Sequence, residues 1–285
     1  MQRLADVTVT PGGKGLNVAR AARRLGTPAA LVAFLPGHTG RAAAALVAEE
    51  GVTLQGVFVG GEIRSTSVIL EHDGRATVLN EPGPPLEDRD WNRLEAVVED
   101  ALPAHGVLVC SGSLPPGAPE DGYGQLARRA REAGRPSVVD AGGPALRAAL
   151  AARADVVTPN LGEAEGLLHG RAEEAVDAAP DARPRAEAAA AQLVRAGARA
   201  AVVTAAGAGA AVAGAGETAW LPAPDVTVRN PIGAGDVLTA ALAAALERGE
   251  PLADAARQGI AAAAASVEDP RAGDFDPQRM AELLL

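Results

Sequence analysis

The chain is poor in aromatic residues and has a single cysteine and a single lysine. Phe, Trp and Tyr make up 2% of its 285 residues while 48% are hydrophobic, so the core must be packed from Ala, Val and Leu rather than from rings. Cys110 has no partner for an internal disulfide. Its place in the apolar run Val107-Leu-Val-Cys110 marks it as a buried strand residue in a reducing, cytoplasmic compartment. No run reaches the roughly 20 apolar residues of a membrane span. The start, Met1-Gln-Arg-Leu-Ala-Asp6, lacks the basic-then-apolar pattern of an export signal. A net charge of −10 argues against nucleic acid and anionic membranes as partners. The histidines, His38, His72, His105 and His169, have no metal-ligand spacing and read as surface residues. No Ser/His/Asp or Cys/His set is evident.

What is present is alternation. Short apolar runs at 31–35, 107–110, 137–140, 156–158 and 201–204 read as strands. Amphipathic stretches at 16–25, 41–50, 123–133, 144–152 and 185–196 read as helices. Such alternation predicts an α/β fold with a mostly parallel sheet covered on both faces. Residues 52–80 read differently: 54–59, 66–71 and 76–79 alternate with period two, and Asp73-Gly74 is a hairpin signal. They are expected to form a small antiparallel β lid on one domain spanning 1–285. Residues 171–185, rich in Ala and acids and broken by Pro180 and Pro184, read as a solvated loop with a short helix. The Ala-rich stretches at 240–245 and 261–265 read as closely packed helices.

The strongest chemical signal is Asn230-Pro-Ile-Gly-Ala-Gly-Asp236, followed by the apolar run Val237-Leu-Thr-Ala-Ala-Leu242. Gly233, Ala234 and Gly235 would turn the backbone tightly at a helix start, where free N–H groups and the helix dipole favour an anion. Asp236 beside that cradle is a candidate base for a neighbouring hydroxyl, the combination that phosphoryl transfer to an alcohol requires. Pro11-Gly-Gly-Lys-Gly-Leu-Asn17 also leads into a helix, with Gly12, Gly13, Lys14 and Asn17 placed to meet a ligand; a flexible turn and helix cap is the plainer reading. Ser111-Gly-Ser113-Leu-Pro-Pro-Gly117 follows a strand at the end where parallel sheets bind ligands, although an ordinary Gly/Pro loop explains it as well. Asn160 and Glu163 open a helix at a spacing that suits water around a magnesium ion and equally suits a helix cap. Thr204-Ala-Ala-Gly207-Ala-Gly209 follows a further strand and could meet nucleotide phosphates through its backbone. Asp140 ends a strand before Gly142-Gly143, where facing the site and capping a turn are both open.

Taken together, these residues resemble the phosphofructokinase B branch of the ribokinase-like sugar kinases, nearly end to end from Pro11 to Gly273. Residues 12–17 resemble the first family signature and 230–242 the second, whose acid, here Asp236, is the catalytic base. Asn80-Glu-Pro-Gly83 and 111–117 are most similar to the hexose-phosphate kinases that act on fructose 1-phosphate or tagatose 6-phosphate. The resemblance implies ATP as donor, magnesium, and a β lid that covers the sugar and pairs subunits as a homodimer. It implies that Gly12, Gly13, Asn17, Arg64 and Ser113 hold the sugar phosphate, with Lys14 adding charge. It further implies that Asn160 and Glu163 orient magnesium through water and that Thr204, Gly207 and Gly209 bind nucleotide. The reaction so implied is phosphorylation of fructose 1-phosphate to fructose 1,6-bisphosphate. Alternatives are tagatose 6-phosphate, fructose 6-phosphate or another sugar or nucleoside as acceptor, or a non-catalytic sugar-phosphate-binding or truncated remnant protein.

The chain also departs from the family pattern. Members begin with a strand ending in Asn-Pro-x-x-Asp, whose acid binds sugar hydroxyls, and by comparison that strand is missing here. Thr158 stands where the hexose-phosphate kinases carry a lysine, Ala206 replaces a glycine of the nucleotide loop, and Gly142 replaces a serine.

Overall fold

The computed structural model describes residues 7–70, 76–170, 181–214 and 216–284. The first part runs α1 (Lys14–Arg24), β1 (Ala30–Pro36), α2 (Gly37–Glu49), β2 (Thr53–Val59), β3 (Thr66–Leu70) and β4 (Ala76–Asn80). The middle continues with α3 (Asp88–Ala101), β5 (Leu108–Ser111), α4 (Gly122–Glu132), β6 (Ser137–Asp140), α5 (Gly143–Ala151), β7 (Val156–Val157), α6 (Leu161–His169) and α7 (Ala182–Arg195). Last come β8 (Ala200–Thr204), β9 (Gly209–Gly214), β10 (Glu217–Pro222), α8 (Ala234–Glu247), α9 (Leu252–Val267) and α10 (Pro277–Leu283).

Strands β5 to β8 lie side by side and parallel, with α4, α5 and then α6 and α7 between successive strands, and the antiparallel pair β9 and β10 extends this sheet to six strands. Alternation along these strands divides the core. Val139, Val157 and Val203 face one helical layer with Leu126, Leu146, Leu161 and Leu193. Val138, Val156 and Val202 face the other with Leu238, Leu242 and Ile260. Both faces are thus buried, as strands of near-continuous apolar sequence require. The alanine-rich helices supply small surfaces that let α8 pack closely on α9, with Ala240, Ala241, Ala261 and Ala262 buried between them. Cys110 is buried on β5, as its apolar run predicts.

Two expectations are corrected. Residues 54–59 are not part of an antiparallel insert: β2 pairs parallel with β1, Leu31 opposite Leu54 and Leu35 opposite Phe58. A period-two pattern does not carry strand direction, and a strand returning through helix α2 is parallel by construction. Only β3 and β4 form the antiparallel hairpin, Thr66 opposite Asn80, while its Asp73-Gly74 signal and His72 lie outside the described residues. The second correction concerns the presumed loop at 171–185. Pro184 is the third residue of α7, because proline is tolerated in a first turn whose N–H groups have no helical partner; residues 171–180, Pro180 included, lie outside the described residues.

Candidate active site

Helix α8 starts from a turn that demands glycine. Gly233 has φ 86°, and a Cβ there would lie 2.8 Å from the Gly273 nitrogen. The Asn230 side chain braces the turn, its amide donating to the Pro270 carbonyl at 3.0 Å and its oxygen accepting from the Ile232 N–H at 3.0 Å. The first N–H groups of α8 are thereby presented beside Asp236, which sits in its first turn and is 4% exposed. Around Gly235 the space is open.

Asn17 Nδ2 donates to Asp236 Oδ2 at 2.8 Å. Burial raises the Asp236 pKa from 3.8 to about 6; the Asn17 bond and Lys14 oppose the shift, and the negative Asp140 and Glu163 add to it. The carboxyl therefore holds its proton more tightly than an exposed aspartate, and a general base benefits from a pKa close to its working pH.

Lys14, the first residue of α1, reaches into the same acidic group. Its Nζ lies 3.3 Å from Asp140 Oδ2 and 3.8 Å from Glu163 Oε1. Burial alone would lower the lysine pKa, but Asp140, Glu163 and Asp236 together outweigh it and hold the ammonium above its ordinary value. Asp140, at the end of β6, also accepts from Ser111 Oγ at the end of β5, 3.0 Å away. The structure thus brings Asp140 into the site, which the sequence leaves undecided between site and turn; an acid closing a buried strand just before two glycines is its only local signal.

Arg20 is a further residue the sequence does not single out. It donates to Asn17 Oδ1 at 3.0 Å, to the Pro11 carbonyl at 2.8 Å and, through two nitrogens, to both Glu50 oxygens at 2.6 Å. Its spacing of three from Asn17 on one helix was the available clue.

Gly12, Gly13, Lys14, Arg64, Ser113 and Glu163 border one cavity, so most of the expected acceptor-binding residues converge. Arg64 and Ser113 also flank a smaller pocket of about 190 Å³ with Pro82, Gly83 and Pro84. Asn160 and Glu163 form the reciprocal helix cap. Asn160 Oδ1 accepts from the Glu163 N–H at 2.8 Å, and Glu163 Oε2 accepts from the Asn160 N–H at 2.9 Å. The other Glu163 oxygen turns toward Lys14. Thr204, Gly207 and Gly209 do not border this cavity. Their loop follows β8, and Thr204 bridges to Asn160 at the end of the neighbouring strand. Gly209 is there for packing: its φ is 133°, and a Cβ would meet the Leu221 carbonyl oxygen at 2.2 Å.

The three residues that depart from the family pattern have physical accounts or consequences. Thr158 is buried and its hydroxyl lies 3.1 Å from that of Thr239 on α8, so it is a core residue where a lysine would project charge. Ala206 adopts φ 46°, a backbone shape that glycine takes without cost. A side chain at 142 would meet Glu163 Cγ at 3.1 Å, so glycine there lets the acid pack close.

A buried carboxylate at a glycine-opened helix start, at the ligand-binding end of a doubly covered α/β sheet, defines the class: an α/β phosphotransferase with an alcohol as acceptor. Residues 1–279 match the profile of the pfkB family carbohydrate kinases, and the chain belongs to that family. It is an ATP-dependent carbohydrate kinase of ribokinase-like fold. Among solved structures, phosphofructokinase-2 from Escherichia coli in complex with fructose-6-phosphate is 29% identical, with a TM-score of 0.80 over 99% of this chain and 93% of the other. A possible 1-phosphofructokinase from Thermotoga maritima is 25% identical, with a TM-score of 0.85 over 100% and 88%. Arabidopsis thaliana ribokinase complexed with ribose and ATP shares the fold, with a TM-score of 0.73 at 23% identity over 100% and 92%. Among the described residues no helix is long and apolar enough to cross a membrane.

Proposed function

We propose that the chain transfers the γ-phosphoryl group of ATP to a primary hydroxyl of fructose 1-phosphate, giving fructose 1,6-bisphosphate. The observation that carries this reading is the buried Asp236 carboxylate, held by Asn17 and flanked by the first N–H groups of α8. Asp236 accepts the hydroxyl proton as attack develops, and the N–H groups of Gly233, Ala234 and Gly235 stabilise charge on the transferring group. Gly12, Gly13, Arg64 and Ser113 hold the acceptor phosphate with Lys14 adding charge, and Thr204, Gly207 and Gly209 contact the nucleotide. The hairpin of β3 and β4 covers the acceptor as a lid within one kinase domain, and the exposed Ile69 and Leu79 on it suit a homodimer contact. The setting is cytoplasmic, in keeping with the single buried thiol.

The donor set fits magnesium held through water and phosphate oxygens. Asn160 and Glu163 offer hard oxygen atoms, while no group of three ligating His, Cys, Asp or Glu side chains occurs among the described residues. When bound, the ion would neutralise charge on the phosphates of ATP.

A second reading, fructose 6-phosphate as acceptor, is favoured by the likeness to phosphofructokinase-2, which is 29% identical over 99% of this chain. Coupled ADP release measured with fructose 1-phosphate, fructose 6-phosphate, tagatose 6-phosphate and free fructose decides between them. The highest kcat/KM is expected on fructose 1-phosphate; a higher value on any other acceptor overturns that assignment.

A further inference from the structure

Residues 60–65 join β2 to β3 and carry Arg64, which borders both the large cavity and the smaller pocket beside Ser113. Arg64 forms no ion pair or hydrogen bond among the described residues. A long side chain without a partner samples many rotamers, and ordering it on a ligand costs entropy. The backbone that carries it is nevertheless pinned on both sides. Glu62, two residues earlier, folds back onto the start of α2. Its Oε1 accepts from the His38 N–H at 3.2 Å, and its Oε2 accepts from the Thr39 N–H at 2.8 Å and the Thr39 hydroxyl at 2.5 Å. That hydroxyl in turn accepts from the Ile63 N–H at 2.9 Å, so Thr39 holds both residues that lead into Arg64. On the far side of Arg64, the Ser65 N–H donates to Glu81 Oε2 at 2.8 Å and the Ser65 carbonyl accepts from the Glu81 N–H at 3.1 Å.

The approach to α2 is built in. At Gly37, with φ 63°, a Cβ would lie 2.0 Å from the Gly61 carbonyl oxygen and 2.6 Å from Glu62 Oε1, so only glycine lets the linker dock there. The bonds to Glu62, that of the Thr39 hydroxyl foremost, lower its pKa to about 2, and the carboxylate is ionised at neutral pH. His38, Thr39 and Glu62 are all exposed, so these contacts bury no apolar core. What they fix is position.

We propose that Glu62 and Thr39 are positioning residues for the acceptor: they clasp the linker to α2 and hold Arg64 at the mouth of the cavity, set in advance for a phosphate of the sugar. The proposal rests on the reading of Arg64 as a holder of that phosphate, and it adds two residues that do not touch the ligand. Phe34 of β1 borders the same pocket as Arg64, and α2 follows β1 directly. The clasp therefore ties Arg64 to the wall of the pocket rather than to the β3–β4 hairpin alone. Preorganisation of this kind strengthens binding without adding a contact.

The test is a double-mutant cycle, run with the phosphorylated sugar of highest kcat/KM in the coupled ADP assay. Glu62→Ala is expected to raise KM for that sugar about 10-fold while kcat and the KM for ATP change by less than about 2-fold, the pattern of lost binding. Arg64→Ala should raise KM at least as far. The double variant should be no worse than Arg64→Ala, because the clasp acts only through the arginine. Thr39→Val should raise KM in the same way by less, and Thr39→Ser, which keeps the hydroxyl, should bring it back. If Glu62→Ala fails to fold, Thr39→Val takes its place in the cycle. An unchanged KM in Arg64→Ala would overturn the phosphate role of Arg64 and the clasp with it. A raised KM in Arg64→Ala, with none in Glu62→Ala or Thr39→Val, would overturn the clasp alone. Additive effects in the double variant would do the same, since Glu62 would then act elsewhere.

Discussion

Asn17 presents its amide nitrogen, not its oxygen, to Asp236, and Arg20 is the reason. Arg20 can only donate, so the atom it meets at 3.0 Å is Asn17 Oδ1, which leaves Nδ2 to donate to Asp236 at 2.8 Å. Glu50, following α2, grips Arg20 through both oxygens. A run of charge-assisted bonds thus extends from the end of α2 across α1 to the start of α8, and it favours the ionised form of Asp236.

The Asp236 pKa, raised to about 6 by burial, sets a pH signature. In the proposed role of base it works when ionised, so kcat/KM is expected to climb with pH through about 6 and level off above. The stability sign is opposite. Between the unfolded value of 3.8 and about 6 the folded state binds this proton more tightly, so this group's contribution to stability falls as pH rises through that window. Asp236→Asn is expected to lower kcat by roughly 10²–10⁴-fold and to remove that part of the pH dependence of unfolding. Wild-type turnover in this variant at saturating substrates would refute the assignment.

Removing the donor on the base moves the same limb. Asn17→Ala should shift the acidic limb of kcat/KM above 6, because the bond that favours the carboxylate is lost. Arg20→Gln should shift it in the same direction by less, since Asn17 remains but loses its orientation. A pH–rate profile in which neither variant moves the limb would show that the relay does not tune Asp236.

Lys14→Met leaves Asp140, Glu163 and Asp236 without the ammonium they share. Mutual repulsion should raise the pKa of Asp236 and weaken binding of an anionic acceptor, seen as a higher KM together with a shifted pH limb. Lys14→Arg, keeping the charge, should restore part of both. An unchanged KM for a phosphorylated sugar in Lys14→Met would remove Lys14 from acceptor binding.

The loop after β8 makes a paired prediction about stability. Ala206 at φ 46° carries a Cβ where glycine would be unstrained, so Ala206→Gly should stabilise the fold by about 1 kcal/mol. Gly209→Ala should do the reverse and more, since its Cβ would meet the Leu221 carbonyl oxygen at 2.2 Å. Thermal unfolding of the two variants checks both signs.

Much of the α/β framework was legible from local pattern. The strand at 137–140 matches β6 residue for residue, and the helices expected from 16, 123 and 144 are α1, α4 and α5 with ends shifted by two residues or fewer. Helix α3 is not legible in the local pattern although Trp91, Leu94 and Val98 fall on one buried face, because its start offers only the weak cap of Glu87 and Asp90. Strand β9 was hidden for another reason: Gly-Ala-Ala-Val-Ala-Gly is buried almost throughout, and alanine carries no contrast between an inner and an outer face.

By itself the sequence determined the glycine turn before Asp236, the glycine loop before α1 and the α/β alternation of most of the parallel sheet, since turn chemistry and periodicity are properties of neighbours in the chain. Only the tertiary structure decided that β2 runs parallel to β1, that Asp140 and Arg20 belong to the site, and that Thr204 lies beside Asn160 through a bridge between their backbones. Strand direction, buried charge and the orientation of an amide depend on partners as far apart as Asn17 and Asp236, and sequence spacing does not encode such contacts.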